Sequence, residues 1–208
     1  MAHKSTPPFE LLAPAAILIG GSAGAIEVVS HVLGGLPRDF ALPIVVVVHL
    51  PRHRPSALCG ALSGSCQLAL REPNDKELLA PSTVYLAPPD YHLLIDRGPS
   101  FALSVDQPVN FSIPSIDVLF ESAADVLGSR CAGILVSGAN ADGARGLRAI
   151  QEAGGRVAIQ APDEAVHRVM PEAALALCHG ASVLSATGIC QWLQQLSSEP
   201  SPEARSAK

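Results

Sequence analysis

Short, strongly apolar runs alternate with longer segments rich in Ala and Leu along most of the chain. Runs of this kind predict strands buried on both faces, as in a parallel sheet covered by helices. The runs are Ala15 to Ile19, Pro43 to Val48, Ala132 to Val136 and Val157 to Gln160. The longer segments predict helices over 24–34, 55–63, 115–127, 143–153, 171–178 and 188–197.

The middle of the chain has a different pattern. Thr83 to Ala87, Tyr91 to Asp96 and Phe101 to Val105 are short stretches separated by turn clusters, which predicts an antiparallel meander. The whole pattern predicts one α/β domain, a doubly wound, mostly parallel sheet with helices on both faces and an antiparallel hairpin insertion. We expect this domain over 15–197, with a disordered or linker tail at 1–14 and a disordered tail at 198–208.

Composition narrows the class of protein. The 208 residues are 48% hydrophobic and 16% charged, which excludes a disordered chain. The formal net charge of −5 argues against binding to nucleic acid, which needs a basic face. The longest apolar stretch, Phe40 to Leu50, is about half the roughly 20 residues that a membrane-spanning helix needs. Five cysteines without a C-x-x-C pair fit reduced thiols, so a cytoplasmic protein without direct membrane insertion is expected.

Three polar residues follow three of the apolar runs directly or closely. Ser22 lies after the first run, His49 after the second, and Asp142 after the run that ends near Val136. Ligands of open parallel sheets bind at the carboxyl ends of the strands, so these side chains are expected along one edge. A hydroxyl, an imidazole and a carboxylate are the groups of a nucleophile, its base and the residue that orients the base.

Each of these residues also has a simpler interpretation. Ser22 and Asp142 both precede predicted helices, where Ser and Asp are common N-caps. Residues 20–24 nevertheless satisfy G-x-S-x-G at a strand-to-helix turn, which favours an exposed nucleophile. An imidazole that ends a run of valines, as His49 does, needs a partner or a functional, hydrated edge.

Metal and nucleotide sites are weaker alternatives. His49 and His53 have the spacing of a metal pair, but Pro51 interrupts a helix there and no H-E-x-x-H motif is present, so no metal is expected. The glycine-rich turn around Ser22 resembles a dinucleotide site without satisfying G-x-G-x-x-G. Arg52 and Arg54 would suit a 2′-phosphate, which keeps a nucleotide-binding oxidoreductase as an alternative.

Five motifs together resemble the catalytic domain of the CheB-type protein-glutamate methylesterases of bacterial chemotaxis. In chain order they are IGGSAGAIE, VVHLP, VYLAPPDYHL, PSIDVLFESAA and ILVSGANADGARGL, and the resemblance runs from residue 15 to 196. It implies a triad of Ser22, His49 and Asp142 that hydrolyses glutamate γ-methyl esters, and sometimes deamidates glutamine. The implied partners are the cytoplasmic helical regions of methyl-accepting chemotaxis receptors, and no cofactor is needed.

Further residues are assigned around this triad. Backbone N–H groups at Ala23 and at Gly138, Ala139 and Asn140 are expected to bind the oxyanion, because helix starts leave such groups unpaired. Three residues are expected near the substrate, and they are Arg52, Arg54 and His92. The two arginines would steer an acidic receptor helix towards a chain that is itself acidic.

The chain departs from the family pattern at three places. Ala23 and Ala139 stand where members usually have Thr and Met, and Phe111, Ser112 and Ile113 occupy places where Arg and His are usual. These departures leave a second hypothesis open, a catalytically weakened domain that binds a receptor or another partner through the same edge.

Overall fold

The computed structural model describes residues 15–50 and 58–198 and builds them around one seven-stranded parallel sheet. The sheet order is β3-β4-β2-β1-β7-β8-β9, and a separate two-stranded antiparallel sheet is formed by β5 and β6. The strands are β1 Ala16–Gly21, β2 Ile44–Val48, β3 Ala69–Arg71, β4 Thr83–Leu86, β5 His92–Asp96, β6 Ser100–Ser104, β7 Cys131–Leu135, β8 Arg156–Gln160 and β9 Ser182–Leu184. The helices are α1 Ala25–Gly34, α2 Leu58–Ser63, α3 Ile116–Leu127, α4 Ala144–Glu152, α5 Val169–Leu177 and α6 Ala186–Ser198.

Helices cover both faces of the large sheet, as the fully apolar strands predict. Alternate residues of β1 and β2 point to opposite faces, so Leu18 and Val47 join one core while Ile17 and Val46 join the other. The first core contains α3, α4, α5 and the β5–β6 hairpin, and the second contains α1, α2 and α6. The doubly wound, mostly parallel fold with an antiparallel hairpin is therefore confirmed.

The middle of the chain differs from the predicted meander. β4 does not pair with the hairpin; it lies in the large sheet, parallel to β2 and β3. All four of its residues are buried, and burial on both faces is a property of a central parallel strand. The three-stranded prediction was wrong because a short apolar stretch followed by a turn has the same local pattern in both arrangements.

Two short edge strands, β3 and β9, were not predicted. Each has only three residues, and neither contains a fully buried position, so no apolar run marks it in the sequence. The predicted helices are all present with small shifts at their ends, although the first part of the segment predicted at 55–63 lies outside the described residues. Both predicted tails also lie outside them, apart from Ser198.

The register of the central strands determines which residues meet at the edge. Gly21 of β1 pairs with Val48 of β2, and Gly20 pairs with Leu135 of β7. The ladder continues one residue further, since His49 N–H donates to Gly21 O at 3.1 Å and Ser22 N–H donates to Ser137 O at 2.9 Å. The three strands therefore end side by side, with β1 in the middle.

Candidate active site

The turn after β1 presents Ser22 between Gly21 and Gly24, and a larger residue would not fit easily at either glycine. A Cβ on Gly21 would lie 2.5 Å from Ala25 Cβ, so the strand and helix α1 approach too closely for a side chain. Gly24 has a φ of 76° and is the N-cap of α1, with no side-chain cap bond. The helix is therefore capped without Ser22, and the N-cap interpretation of Ser22 is wrong.

The buried hydroxyl of Ser137 holds this turn in place. Ser137 Oγ donates to Ala23 O at 2.8 Å and accepts from His167 N–H at 2.9 Å. The N–H of Gly138 also donates a hydrogen bond to His167, to its backbone O at 3.1 Å. The backbone of the turn that contains Ser22 is thus linked to the residues after β7 and to the segment before α5, while Ala23 itself is exposed.

His49 lies between the other two predicted triad residues. Its Nε2 is 2.9 Å from Asp142 Oδ2, and its side chain is 12% exposed. An ionised carboxylate can only accept a hydrogen bond, so Nε2 carries the proton and Nδ1 presents a lone pair. Ser112 Oγ is 3.5 Å from Nδ1, and no hydrogen bond joins His49 to Ser22 Oγ within the described ranges.

Asp142 is fully buried at the start of helix α3 rather than acting as the cap of the helix that follows it. Gly143 is the N-cap of α4, with no side-chain cap bond. The Asp142 carboxylate instead accepts from Ile116 N–H at 2.7 Å and from Ser115 Oγ at 2.9 Å. The N-cap interpretation of Asp142 placed the carboxylate on the wrong helix, and the N-terminus of α3 stabilises its negative charge.

Hydrogen bonds keep this buried carboxylate ionised. Burial raises the pKa of Asp142, but the bonds from His49, the Asn110 amide and Ile116 N–H outweigh burial and hold that pKa below its usual range. The ionised form is the one that orients the His49 ring and stabilises its cation.

A second buried carboxylate, Asp117, lies beside the first. Asn110 Nδ2 donates to both, at 2.7 Å to Asp142 Oδ1 and 2.8 Å to Asp117 Oδ2. Asp117 also accepts from Gly146 N–H at 2.7 Å and pairs with the Arg145 guanidinium at 3.1 Å. Asp117 therefore joins the start of α3 to the start of α4 through Gly146 and Arg145, and the Asn110 amide links Asp117 to Asp142.

A cleft of about 240 Å³ opens beside Ser22 and His49. Ser22 and His49 line it together with Asn140 and the segment from Phe111 to Pro114. No group of three or more His, Cys, Asp or Glu side chains suited to a metal occurs within residues 15–50 and 58–198.

The predicted oxyanion groups have different surroundings. Gly138 N–H is occupied by His167 O, as described above, whereas the N–H groups of Ala23, Ala139 and Asn140 have no acceptor among the residues that the structure covers. Asn140 lines the cleft, and its Oδ1 accepts from Asp142 N–H at 3.1 Å.

Of the three residues predicted near the substrate, only His92 lies within the described part of the chain. Arg52 and Arg54 lie outside the described residues. His92 is only 1% exposed on β5 and faces inward, where Nε2 donates to Gln107 O at 3.1 Å and Nδ1 accepts from Ser115 N–H at 3.1 Å. His92 therefore contacts the site only through Ser115, the residue whose hydroxyl binds Asp142.

The residues around Asp142 were not predicted from the sequence. Ser115 and Asp117 are part of the PSIDVLF motif, and Arg145 is part of the motif around Asp142, so both motifs contained a signal. Asn110 has none: it is an asparagine in a turn, with a φ of 51°, whose role depends on two carboxylates elsewhere in the chain.

Among the helices formed by residues 15–50 and 58–198, none is both long enough and apolar enough to cross a membrane.

The chain is similar to known proteins over most of its length. The family model described as CheB methylesterase matches residues 17–193. A provisionally named protein-glutamate methylesterase/protein-glutamine glutaminase of Leptospira interrogans is 42% identical over 160 residues, which cover 77% of this chain and 83% of the relative. The protein-glutamate methylesterase FrzG of Myxococcus xanthus is 35% identical over 194 residues, or 91% of this chain and 57% of the relative. The crystal structure of the Thermotoga maritima CheB methylesterase catalytic domain superimposes with a TM-score of 0.83 at 28% identity, covering 89% of this chain and all of that one.

Proposed function

The chain belongs to the CheB methylesterase family, and we propose that Ser22, His49 and Asp142 carry out its reaction, the hydrolysis of γ-methyl esters on protein glutamate side chains. The family's activity is that of a carboxylic ester hydrolase. One observation supports the residue assignment above all others: His49 binds the buried Asp142 at 2.9 Å while lining the same cleft as Ser22.

The two ring nitrogens of His49 have separate roles in the proposed reaction. Nε2 donates to Asp142, so Nδ1 is the base that removes the proton from Ser22 Oγ. The Ser22 oxygen attacks the ester carbonyl, and the imidazolium that forms is stabilised by the ionised Asp142. His49 then returns the proton to the leaving oxygen, methanol departs, and a glutamyl ester of Ser22 remains.

Water completes the cycle by the same route. Nδ1 of His49 takes a proton from water, the hydroxide attacks the glutamyl–Ser22 ester, and the proton returns to Ser22 Oγ as the free carboxylate leaves. In both steps the carbonyl oxygen becomes negative. The N–H groups of Ala23, Ala139 and Asn140 are the proposed donors to it. Asn140 lines the cleft, Ala23 and Ala139 directly follow or precede a lining residue in the chain, and none of the three N–H groups has an acceptor among the described residues.

The proposed substrates are the methylated glutamates of chemoreceptors, since the CheB family acts on chemoreceptors in general. More finely, we propose that the target is the helical cytoplasmic region, which would place the enzyme in the cytoplasm. Deamidation of glutamine uses the same attack with ammonia as the leaving group, and it is a second proposed activity. Pairing of His49 with Asp142 favours hydrolysis over the nucleotide-binding alternative, because it prepares a base and not a phosphate site.

A fluorophosphonate probe tests the nucleophile. Wild-type protein is expected to gain one covalent adduct at neutral pH, measured by intact mass, and Ser22→Ala none. Ser112→Ala is the matched control, because it removes the other hydroxyl of the same cleft and should still be labelled. Labelling of Ser22→Ala would contradict the assignment.

The reaction is tested separately by methanol release from a peptide that contains a glutamyl γ-methyl ester. Wild-type protein is expected to release methanol and to leave a free glutamate, and Ser22→Ala to release none above the buffer rate. A labelled wild type that released no methanol would retain the nucleophile but contradict the proposed substrate.

A further inference from the structure

A second, largely apolar groove adjoins the cleft that contains Ser22. It has a volume of about 500 Å³ and lies between the starts of helices α3 and α4 and the end of α5. Phe111 and Asn140 line both the cleft and the groove, so the two form one continuous surface. The remaining apolar lining residues are Ala141, Ala144, Ala173, Ala176 and Leu177.

Phe111 stands at the boundary between the two with its side chain fully exposed, at 101% of the reference area. Its φ is 62°, a conformation that a bulky residue adopts only when its surroundings impose it. Asn110, with a φ of 51°, is held by hydrogen bonds to Asp142 and Asp117, and it carries Phe111 into this position. The same contacts that organise the triad therefore present an aromatic ring to the solvent beside it.

Other exposed apolar side chains lie nearby. Val169 and Leu177, at the two ends of α5, are 48% and 36% exposed. Val166 is 69% exposed and lies against the nucleophile turn, since a Cβ on Gly24 would be 2.6 Å from Val166 Cβ. Exposed apolar groups clustered beside a reaction cleft are a mark of a binding surface.

Two arginines beside the groove are paired with carboxylates. Arg145 on its rim is paired with the buried Asp117. Arg148, one turn along α4, pairs with Glu152 at 2.7 Å and also donates to Leu177 O. Among the described residues, Arg145 and Arg148 therefore offer an acidic segment little uncompensated positive charge, whereas the apolar lining offers an aliphatic side chain a place to be buried.

We propose that Phe111 and this groove determine substrate specificity by receiving an aliphatic side chain of the substrate polypeptide, within one helical turn of the methylated glutamate. The inference rests on the proposed function, because the glutamyl ester must reach Ser22. A glutamyl side chain in the cleft leaves its own backbone at the mouth, beside Phe111. Residues three or four positions away on a helix lie only about 5–6 Å along the same face, and the groove adjoins the cleft at Phe111 and Asn140, within that reach.

The test uses Ala-based helical peptides of 15 residues with a single glutamyl γ-methyl ester. One variable residue, Leu, Ser or Lys, is placed three or four positions before or after the ester. Methanol release by the wild type is expected to show, at one or more of these positions, a kcat/KM about tenfold higher with Leu than with Lys or Ser, as for partial burial of a leucine side chain. Ratios within twofold at all four positions would overturn the proposal.

Phe111→Asn removes the ring with a residue that tolerates the left-handed conformation. Its Leu-to-Lys ratio is expected to fall to about one, whereas Val105→Asn, the same kind of change at a remote and 76% exposed valine, keeps the wild-type ratio. A Phe111→Asn protein that retained the preference would remove Phe111 from substrate recognition.

Binding of fluorescently labelled peptides to Ser22→Ala separates docking from chemistry. A preference for Leu in binding together with no methanol release by the wild type would sustain the groove and contradict the proposed function. Methanol release without any preference for Leu would do the opposite.

Discussion

Asp142 and Ser22 follow neighbouring strands of one sheet, yet their side chains are held in opposite ways. Asp142 is fully buried and accepts hydrogen bonds from the His49 ring, two side chains and the first two N–H groups of α3, the donors being His49, Asn110, Ser115, Ile116 and Asp117. Ser22 is partly exposed, and its hydroxyl has no hydrogen-bond partner among the described residues. The Asp142 carboxylate is therefore organised by hydrogen bonds in the protein alone, whereas no side-chain hydrogen bond from the described residues fixes the Ser22 hydroxyl.

A pair of substitutions tests this difference most strongly. Asp142→Asn is expected to lower kcat by about 10⁴-fold, because the amide cannot hold the His49 tautomer. It should also lower the free energy of unfolding by about 3 kcal/mol, since several buried donors lose their acceptor. Ser22→Ala should abolish turnover yet change stability by less than about 0.5 kcal/mol. Methanol release measures kcat, and urea unfolding measures the free energy of unfolding. Equal destabilisation of the two variants would contradict the claim that Asp142, and not Ser22, is held by stabilising contacts.

Ser115→Ala tests the same region with a smaller change. Its buried hydroxyl donates to Asp142 and accepts from Val118 N–H as the N-cap of α3. Loss of both contacts is expected to cost about 1–2 kcal/mol of stability and to lower kcat roughly tenfold.

The matched control lies on the same helix. Ser122→Ala removes a hydroxyl that donates to Leu119 O and accepts from Ile95 N–H, away from the triad. It should lower stability in urea unfolding without lowering kcat. If both variants lost activity to the same degree, loss of α3 stability alone would explain the result.

The free energy of unfolding should also depend on pH through the Asp142 carboxylate. The pKa of Asp142 is lowered in the folded state, so the carboxylate stabilises the protein above the ordinary carboxyl pKa near 4, and this contribution is lost as the pH falls through the lowered value. Asn110→Ala removes one of the bonds that lower the pKa. The free energy of unfolding should therefore change less between pH 6 and pH 2 than in the wild type.

Urea unfolding at several pH values measures this effect. Asn74→Ala is the control, because it removes the same amide from an exposed turn beside Glu77. Its pH dependence should match that of the wild type. An Asn110→Ala curve parallel to the wild-type curve would mean that Asn110 does not hold the Asp142 charge.

The smallest effect is expected from Ser112→Ala. Ser112 Oγ lies 3.5 Å from His49 Nδ1, too far for a strong hydrogen bond. The kcat/KM for an ester peptide should therefore stay within about twofold of the wild-type value. A tenfold loss would show that Ser112 acts on the proton path between Ser22 and His49.

Much of the fold could be predicted from the sequence because its signals are local. The apolar runs of β1, β2, β7 and β8 mark strands buried on both faces, and the helices between them follow from the spacing of their apolar residues. β4 could not be assigned in the same way, since membership of a parallel or an antiparallel sheet depends on its partners and not on its own four residues.

The candidate site, too, contains residues with a local sequence signal and residues without one. Ser22 and His49 could be proposed as site residues from the sequence because each stands where an apolar run ends, a feature visible within a few residues. The donors to Asp142 could not, because Asn110 lies 32 positions away and contacts it only after α3 and α4 have packed together.

The sequence by itself determined the parallel α/β framework and the presence of a hydroxyl, an imidazole and a carboxylate at its strand ends. Only the tertiary structure decided that Nε2 of His49 faces Asp142, that the Asp142 carboxylate binds the first N–H groups of α3 instead of capping α4, and that Phe111 stands exposed beside the cleft. The physical reason is distance along the chain. Strand ends are set by local apolar patterning, whereas His49 and Asp142 are 93 positions apart and meet only through the register of three paired strands.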